Sequence, residues 1–313
     1  MKAIIFAIVL DLLLPIYSWS NPTVTSVSFE LTRELIIVKA AVNGREGLFI
    51  LDTGVSEVIL NNRYFNGRPT GDKFYNINST EMDKEIEVIR FNIGGFEKKV
   101  VATVTDFTAM EKFTGLELFG VVGNSIFKNC ELVLDYIFKK VTIYQLDKKG
   151  NRMSSKNIHK KPLDTLSFFT GRGLPFIAVN LNGQRLNMIV DSGASANVMD
   201  IRQIKRLNLG LRIQEDSLAG FGSKGVSVKS QKIDNLIVGN LTFPAMKTLF
   251  INLDHFNQRQ RGSSQIIRAD GLLGYEFLSN FRVAINFRKK EIYLWDRESV
   301  ELQWTIANNL ENQ

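Results

Sequence analysis

Two short stretches carry the residue types that could do chemistry. Ile50-Leu51-Asp52-Thr53-Gly54 and Ile189-Val190-Asp191-Ser192-Gly193 each set an aspartate after two large apolar residues. A small hydroxyl residue and a glycine follow. The apolar run reads as a buried strand, and the glycine as the sharp turn that ends it. Such a strand end pushes a carboxylate out of a dry element and holds it rigidly. Two of them, in similar half-chains, point to carboxylates brought face to face, the equipment of acid–base chemistry.

The elements that must position these aspartates repeat as well. Asn43-Gly44 and Asn182-Gly183 lie at the same distance before their aspartates and separate apolar runs. Each therefore predicts a hairpin feeding the aspartate strand. Val121-Val122-Gly123 is matched later by Leu272-Leu273-Gly274, and from there the halves run in step without a gap. Leu132-Val133-Leu134-Asp135 answers Val283-Ala284-Ile285-Asn286. A repeat of this length predicts two homologous lobes.

On these motifs the chain resembles the two-lobed aspartic proteases, closer to retropepsins than to pepsin. The resemblance runs from about residue 30 to 296 and is strongest at the two aspartates and the two later glycines. It implies that Asp52 and Asp191 are catalytic and that Thr53 and Ser192 tie their loops together. Gly54, Gly193, Gly123 and Gly274 would support those loops, the last two packed beneath the aspartates. Carboxylates about 3 Å apart cannot both ionise, so such a pair shares one proton. One carboxylate then draws a proton from a water while the other hydrogen-bonds the scissile carbonyl, with no metal or cofactor. Which one is the base stays open, because the pair titrates as a unit. The resemblance places a flap over the cleft, with Tyr75 and Phe221 as candidates; a plain core or surface role is the alternative for each. Val55 and Ala194 stand where pepsin-like enzymes carry a hydroxyl residue, which implies an optimum in weak acid.

The remaining pattern is short alternating strands with turn signals and few helices. It predicts an all-β fold, each lobe a small closed barrel with the cleft between them. The expected boundaries are a signal peptide over 1–20, a first lobe over 21–147, a basic linker over 148–162, a second lobe over 163–300 and a tail over 301–313. Residues 1–20 combine Lys2, an apolar run and Ser18-Trp19-Ser20, as a cleaved secretory signal does. Asp11 is a flaw in that run. The expected location is exported: periplasmic, cell-envelope or secreted. Lys148 to Lys161 holds six cations and no acid and reads as a solvated linker; an anionic lipid or nucleic-acid contact is the sharper alternative. After Asp191 a helix is expected, with Asp200 as its N-cap, Ile201, Ile204 and Leu207 on its apolar face and Gly210 as its stop.

Other chemistries find little support. The 313 residues include two histidines, His159 and His255, neither with a metal-binding partner at helical spacing. Cys130 is the only cysteine; it aligns with Phe281 and reads as a buried apolar filler. Gly220-Phe221-Gly222-Ser223-Lys224-Gly225 fits a dinucleotide pattern without the following helix or the distant acid. A net charge of +7 speaks to solubility more than to nucleic acid. The expectation is an aspartic endopeptidase acting on extended peptide or unfolded protein, a monomer, with no nucleic-acid partner and no membrane contact after signal cleavage. The alternative is a non-catalytic peptide-binding protein of the cell envelope on the same scaffold.

Overall fold

The computed structural model describes residues 21–75, 81–154, 161–210, 214–218, 226–257 and 267–296. The first half contains β1 (Val24–Thr32), β2 (Leu35–Val42), β3 (Arg45–Leu51), β4 (Val58–Asn61), β5 (Arg68–Tyr75), β6 (Glu81–Ile93) and β7 (Phe96–Thr105). Helix α1 (Thr108–Thr114), β8 (Leu118–Val122), a 3-10 turn over Asn124–Phe127, β9 (Cys130–Asp135) and β10 (Lys140–Gln145) complete it. The second half opens with β11 (Asp164–Ser167), β12 (Phe169–Gly171), β13 (Leu174–Leu181), β14 (Gln184–Val190), β15 (Asn197–Asp200) and α2 (Gln203–Arg206). It continues through β16 (Gln214–Leu218), β17 (Val226–Ile233), β18 (Leu236–Val238), β19 (Leu241–Phe243), β20 (Met246–Ile251) and α3 (Asp254–Asn257). It ends with β21 (Gly271–Leu273), α4 (Tyr275–Leu278), β22 (Phe281–Asn286) and β23 (Glu291–Asp296).

The fold is all-β and two-lobed. In the first lobe the pairings run β2–β3–β8–β4–β7–β6 and return to β2 through Ala41↔Asn92 and Val42↔Phe91, which closes a barrel. The second lobe repeats the order as β13–β14–β21–β15–β20–β17. Its ring closes through β18, with Val179↔Val238 and Asn180↔Ile237. The single long β6 is thus answered by two strands, broken at Asp234-Asn235, where Asn235 takes a left-handed φ of 57°. Alternation explains the filling. In β3, Phe49 and Leu51 pack into the main core, while Ile50 joins Phe107, Met110 and Val121 in a separate cluster on the other face. Burying side chains of this size contributes about 1.5–3 kcal/mol each.

A shared sheet joins the lobes in the order β11-β23-β22-β9-β10-β1, with β9 and β22 antiparallel at its centre. Every residue of β9 and β22 is buried, so their polar side chains need partners. Arg282 Nε donates to Asp135 Oδ2 at 2.7 Å, and Asn286 Nδ2 donates to Glu131 Oε2 at 2.9 Å.

Two expectations change on contact with the structure. The solvated linker begins as a packed turn: Asp147 N–H donates to the Asn151 carbonyl at 2.9 Å, and Arg152 Nε donates to buried Glu131 at 2.7 Å. Arg152 also lies 4.0 Å over the Tyr144 ring. The helix expected from Ile201 onward is one turn, Gln203–Arg206. Asp200 ends β15 and accepts from Arg202 N–H at 2.9 Å, Ile201 is exposed, and the stop is Asn208 at φ 48° rather than Gly210. Residues 1–20 and 297–313, the expected signal and tail, lie outside the described residues, as does His159. Among the described residues no helix is long and apolar enough to cross a membrane.

Candidate active site

Each aspartate sits at the end of a hairpin's second strand. Asn43 and Gly44 take φ values of 51° and 84°, and Asn182 and Gly183 take 51° and 75°. Two successive left-handed residues make the tight turn whose twist matches its strands, which is why Asn-Gly stands at both places. The strands β3 and β14 then run parallel to β8 and β21. Asp52 N–H donates to the Val122 carbonyl and Asp191 N–H to the Leu273 carbonyl, both at 3.0 Å.

The later glycines hold the chain beyond each aspartate. A Cβ on Gly123 would lie 2.2 Å from the Glu57 carbonyl oxygen and 2.6 Å from that of Val55. On Gly274 it would lie 2.3 Å from the Ala196 oxygen and 2.6 Å from the Ala194 oxygen. No residue with a side chain fits either place. The next residues, Asn124 and Tyr275, donate their N–H groups to Val55 and Ala194 at 2.9 Å.

The two loops lock through four hydrogen bonds. Thr53 N–H donates to Ser192 Oγ at 3.1 Å, and Ser192 N–H donates to Thr53 Oγ1 at 2.9 Å. Thr53 Oγ1 donates to the Val190 carbonyl and Ser192 Oγ to the Leu51 carbonyl, both at 2.8 Å. All four are buried, where an unpaired donor is costly.

This lock sets the carboxyl groups of Asp52 and Asp191 against each other. Gly54 N–H donates to Asp52 Oδ1 at 2.7 Å, and Gly193 N–H donates to Asp191 Oδ1 at 2.8 Å. Each glycine also lies against the opposite carboxylate. A Cβ on Gly54 would be 2.4 Å from Asp191 Cγ, and one on Gly193 would be 2.2 Å from Asp52 Cγ. Both aspartates are 8 % exposed, so neither is sealed from solvent.

Burial pushes the Asp52 carboxyl well above the ordinary carboxylate range, and the charge of Asp191 and the hydrogen bond to it add to the rise. Burial raises Asp191 too, offset in part by the bond from Asp52 and by backbone N–H groups. A pair raised by burial and mutual repulsion holds one proton where separate aspartates would hold none.

Residues 177–277 match the family described as aspartyl protease. This match supports an aspartic protease family, of the retropepsin-like kind. The match runs from β13 through Asp191 and Gly274 to α4, and the first lobe repeats the same strand order around Asp52. No curated protein matches the chain.

The structure therefore brings together Asp52, Thr53, Gly54, Asp191, Ser192, Gly193, Gly123 and Gly274. Tyr75 ends β5, its backbone paired with Glu81 of β6; residues 76–80 and Phe221 lie outside the described residues. Lys84 of β6 reaches Glu57 at 3.5 Å, which ties this hairpin to the loop after Asp52. Among the described residues no three His, Cys, Asp or Glu side chains converge as a metal site would require. Cys130 is buried, its thiol pushed up to about 11 by burial.

Sequence reasoning missed Asn124. Its Nδ2 donates to the Thr53 carbonyl at 2.7 Å and to the Gly173 carbonyl of the second lobe at 3.3 Å. Its Oδ1 is buried without a partner. The only signal was a polar residue following Gly123 where the repeat has Tyr275.

Proposed function

We propose that the chain is an aspartic endopeptidase whose water is activated between Asp52 and Asp191. The observation that carries this reading is two buried carboxyl groups, one from each lobe, set against each other across the loop lock. The ionised partner takes a proton from the attacking water as its oxygen bonds to the scissile carbon. The protonated partner gives its proton to the carbonyl oxygen, and a tetrahedral intermediate forms. Transfer of a proton to the amide nitrogen then lets the carbon–nitrogen bond break. The fixed loops supply orientation, and the pair supplies general acid and general base.

An extended peptide or unfolded segment is the substrate that suits a cleft between two β lobes, since main-chain pairing can supply much of the binding. One chain provides both aspartates, which supports a monomer as the working unit. We place it in an exported compartment on the N-terminal sequence alone.

The test is cleavage of a denatured protein across a range of pH, with and without a statine-type inhibitor. Asp52→Asn and Asp191→Asn should each lower the rate by about 10³-fold. A wild-type chain that holds peptides without cutting them would favour the binder instead. The rate should fall as pH rises through the raised ionisation of the pair, and fall again in acid once both groups are protonated. The profile is therefore a bell with its maximum in weak acid, and a maximum near about pH 2 would contradict the assignment.

A further inference from the structure

The basic run after β10 reads as a solvated linker when taken alone. The fold joins its first residues to charges far away in sequence. Arg288 Nη2 donates to Asn129 Oδ1 at 2.7 Å, and Arg288 Nη1 donates to the Lys148 carbonyl at 3.5 Å. Asn286 Nδ2 donates to the Gly150 carbonyl at 3.0 Å. Gly150 lies so close to the β22–β23 turn that a Cβ there would be 2.7 Å from Lys289 Cγ. The turn after β10, the approach to β9 and the β22–β23 turn thus meet at one end of the inter-lobe sheet. They present Lys128, Lys148, Lys149, Arg288, Lys289 and Lys290, all exposed.

Few acids oppose them. Asp147 has its Oδ1 held by the N–H groups of Lys149 and Asn151, both at 2.8 Å, and these bonds keep its carboxyl below the usual range. Glu131 is buried and paired with Arg152, and Glu291 accepts from the Tyr293 hydroxyl at 2.5 Å. With Arg152 included, seven cations face three acids. That leaves +4 in one place on a chain whose whole net charge is +7.

The make-up of the patch favours one kind of anion. Lysine predominates, a hydrated point charge on a flexible stem with no geometric demand. The one exposed arginine among the six already serves Asn129 and the Lys148 carbonyl, so it offers no free fork to read a base edge. Phe287 is half-buried, stacked on Phe127 and edge-on to Phe168, and half-buried Tyr293 lies against Trp295 with its hydroxyl on Glu291, so neither ring stands out from the patch as a stacking platform for a base. Met153, beside Arg152, is 56 % exposed and adds an apolar chain at the rim. We propose that this end of the inter-lobe sheet docks the protein on a bilayer rich in anionic phospholipid. The attraction is the summed pull of the lysines on the headgroups, and salt screens it. The patch includes no residue of either aspartate loop, so docking leaves the dyad as it is.

The test is co-sedimentation of the full chain with phosphatidylglycerol–phosphatidylcholine vesicles and with phosphatidylcholine alone. The readout is the gain on anionic over neutral vesicles, which removes any contribution of the apolar N-terminus. A gain that disappears at raised salt is expected. Lys148→Glu with Lys149→Glu and Lys289→Glu should weaken it by about tenfold or more, and glutamine at the same positions should give an intermediate loss. The same charge change at exposed Lys39, Lys205 and Lys232 should leave binding in place. Equal binding to both vesicles overturns the proposal, as does an equal loss from the control triple. A single-stranded oligonucleotide that displaces the protein from vesicles at lower concentration also overturns it, in favour of nucleic acid.

Discussion

The two aspartate loops follow one backbone path with different side chains around it. The N–H of each aspartate reaches the β8 or β21 carbonyl at 3.0 Å, and the N–H after each later glycine reaches position 55 or 194 at 2.9 Å. Yet Asn124 in the first lobe is answered by Tyr275 in the second. Asn124 grips the Thr53 and Gly173 carbonyls, whereas the Tyr275 ring meets Tyr136 edge-on at 5.8 Å. Tyr136 is buried, and its phenol is raised by burial and by the neighbouring Tyr275 and Asp191. Val55 packs into an apolar cluster beside α1, where the second lobe has only Ala194. The backbone path is what the chemistry demands; the bracing behind it has been free to differ.

The hardest blow to both loops should come from the motif glycines. Gly54→Ala and Gly193→Ala each drive a methyl into the opposite carboxylate, so each should cost activity on the scale of losing an aspartate, about 10³-fold. A peptide-cleavage assay in which one alanine variant stays active would break the equivalence of the loops. The lock should respond next, and symmetrically. Thr53→Val and Ser192→Ala each remove one donated bond and leave the partner's N–H buried and unpaired. Each should destabilise by about 1–3 kcal/mol in denaturant unfolding. A loss confined to one lobe's residue would show that the lock is not shared.

Asn124 and Tyr275 sharpen the contrast. Asn124→Leu should lower kcat by about tenfold with KM little changed, since it releases the loop carrying Asp52. Tyr275→Leu should act mainly on stability, by about 1–3 kcal/mol. Steady-state kinetics and melts on both variants separate the two, and equal effects on kcat would erase the asymmetry.

Much of this was legible because backbone geometry dictates residue type. Asn-Gly marks the left-handed hairpin turns, and glycine marks Gly123 and Gly274 where carbonyls leave no room for a Cβ. The two-barrel fold followed from alternation and repetition. What stayed hidden depends on partners distant in sequence. Asn124 binds carbonyls 71 and 49 residues away, and Arg152 was read as a linker charge because Glu131 lies on β9. Helix α1 is only seven residues and is entered through Asp106, whose Oδ1 accepts from Thr108 N–H at 2.9 Å; it was too short to show a period. Past Asp200 the chain makes one turn where apolar spacing had suggested more, because Ile201 faces solvent.

The shared proton is the centre of the account, and carboxyl-selective NMR titration of Asp52 and Asp191 observes it directly. One carboxyl step should appear far above the ordinary aspartate value of about 3.9, with both residues reporting it together. Replacing Asp191 by asparagine should lower the Asp52 step while burial keeps it above the ordinary range, and Asp191 should stay raised by burial when Asp52 is replaced. Two independent titrations near the ordinary value in the wild-type chain would contradict the account.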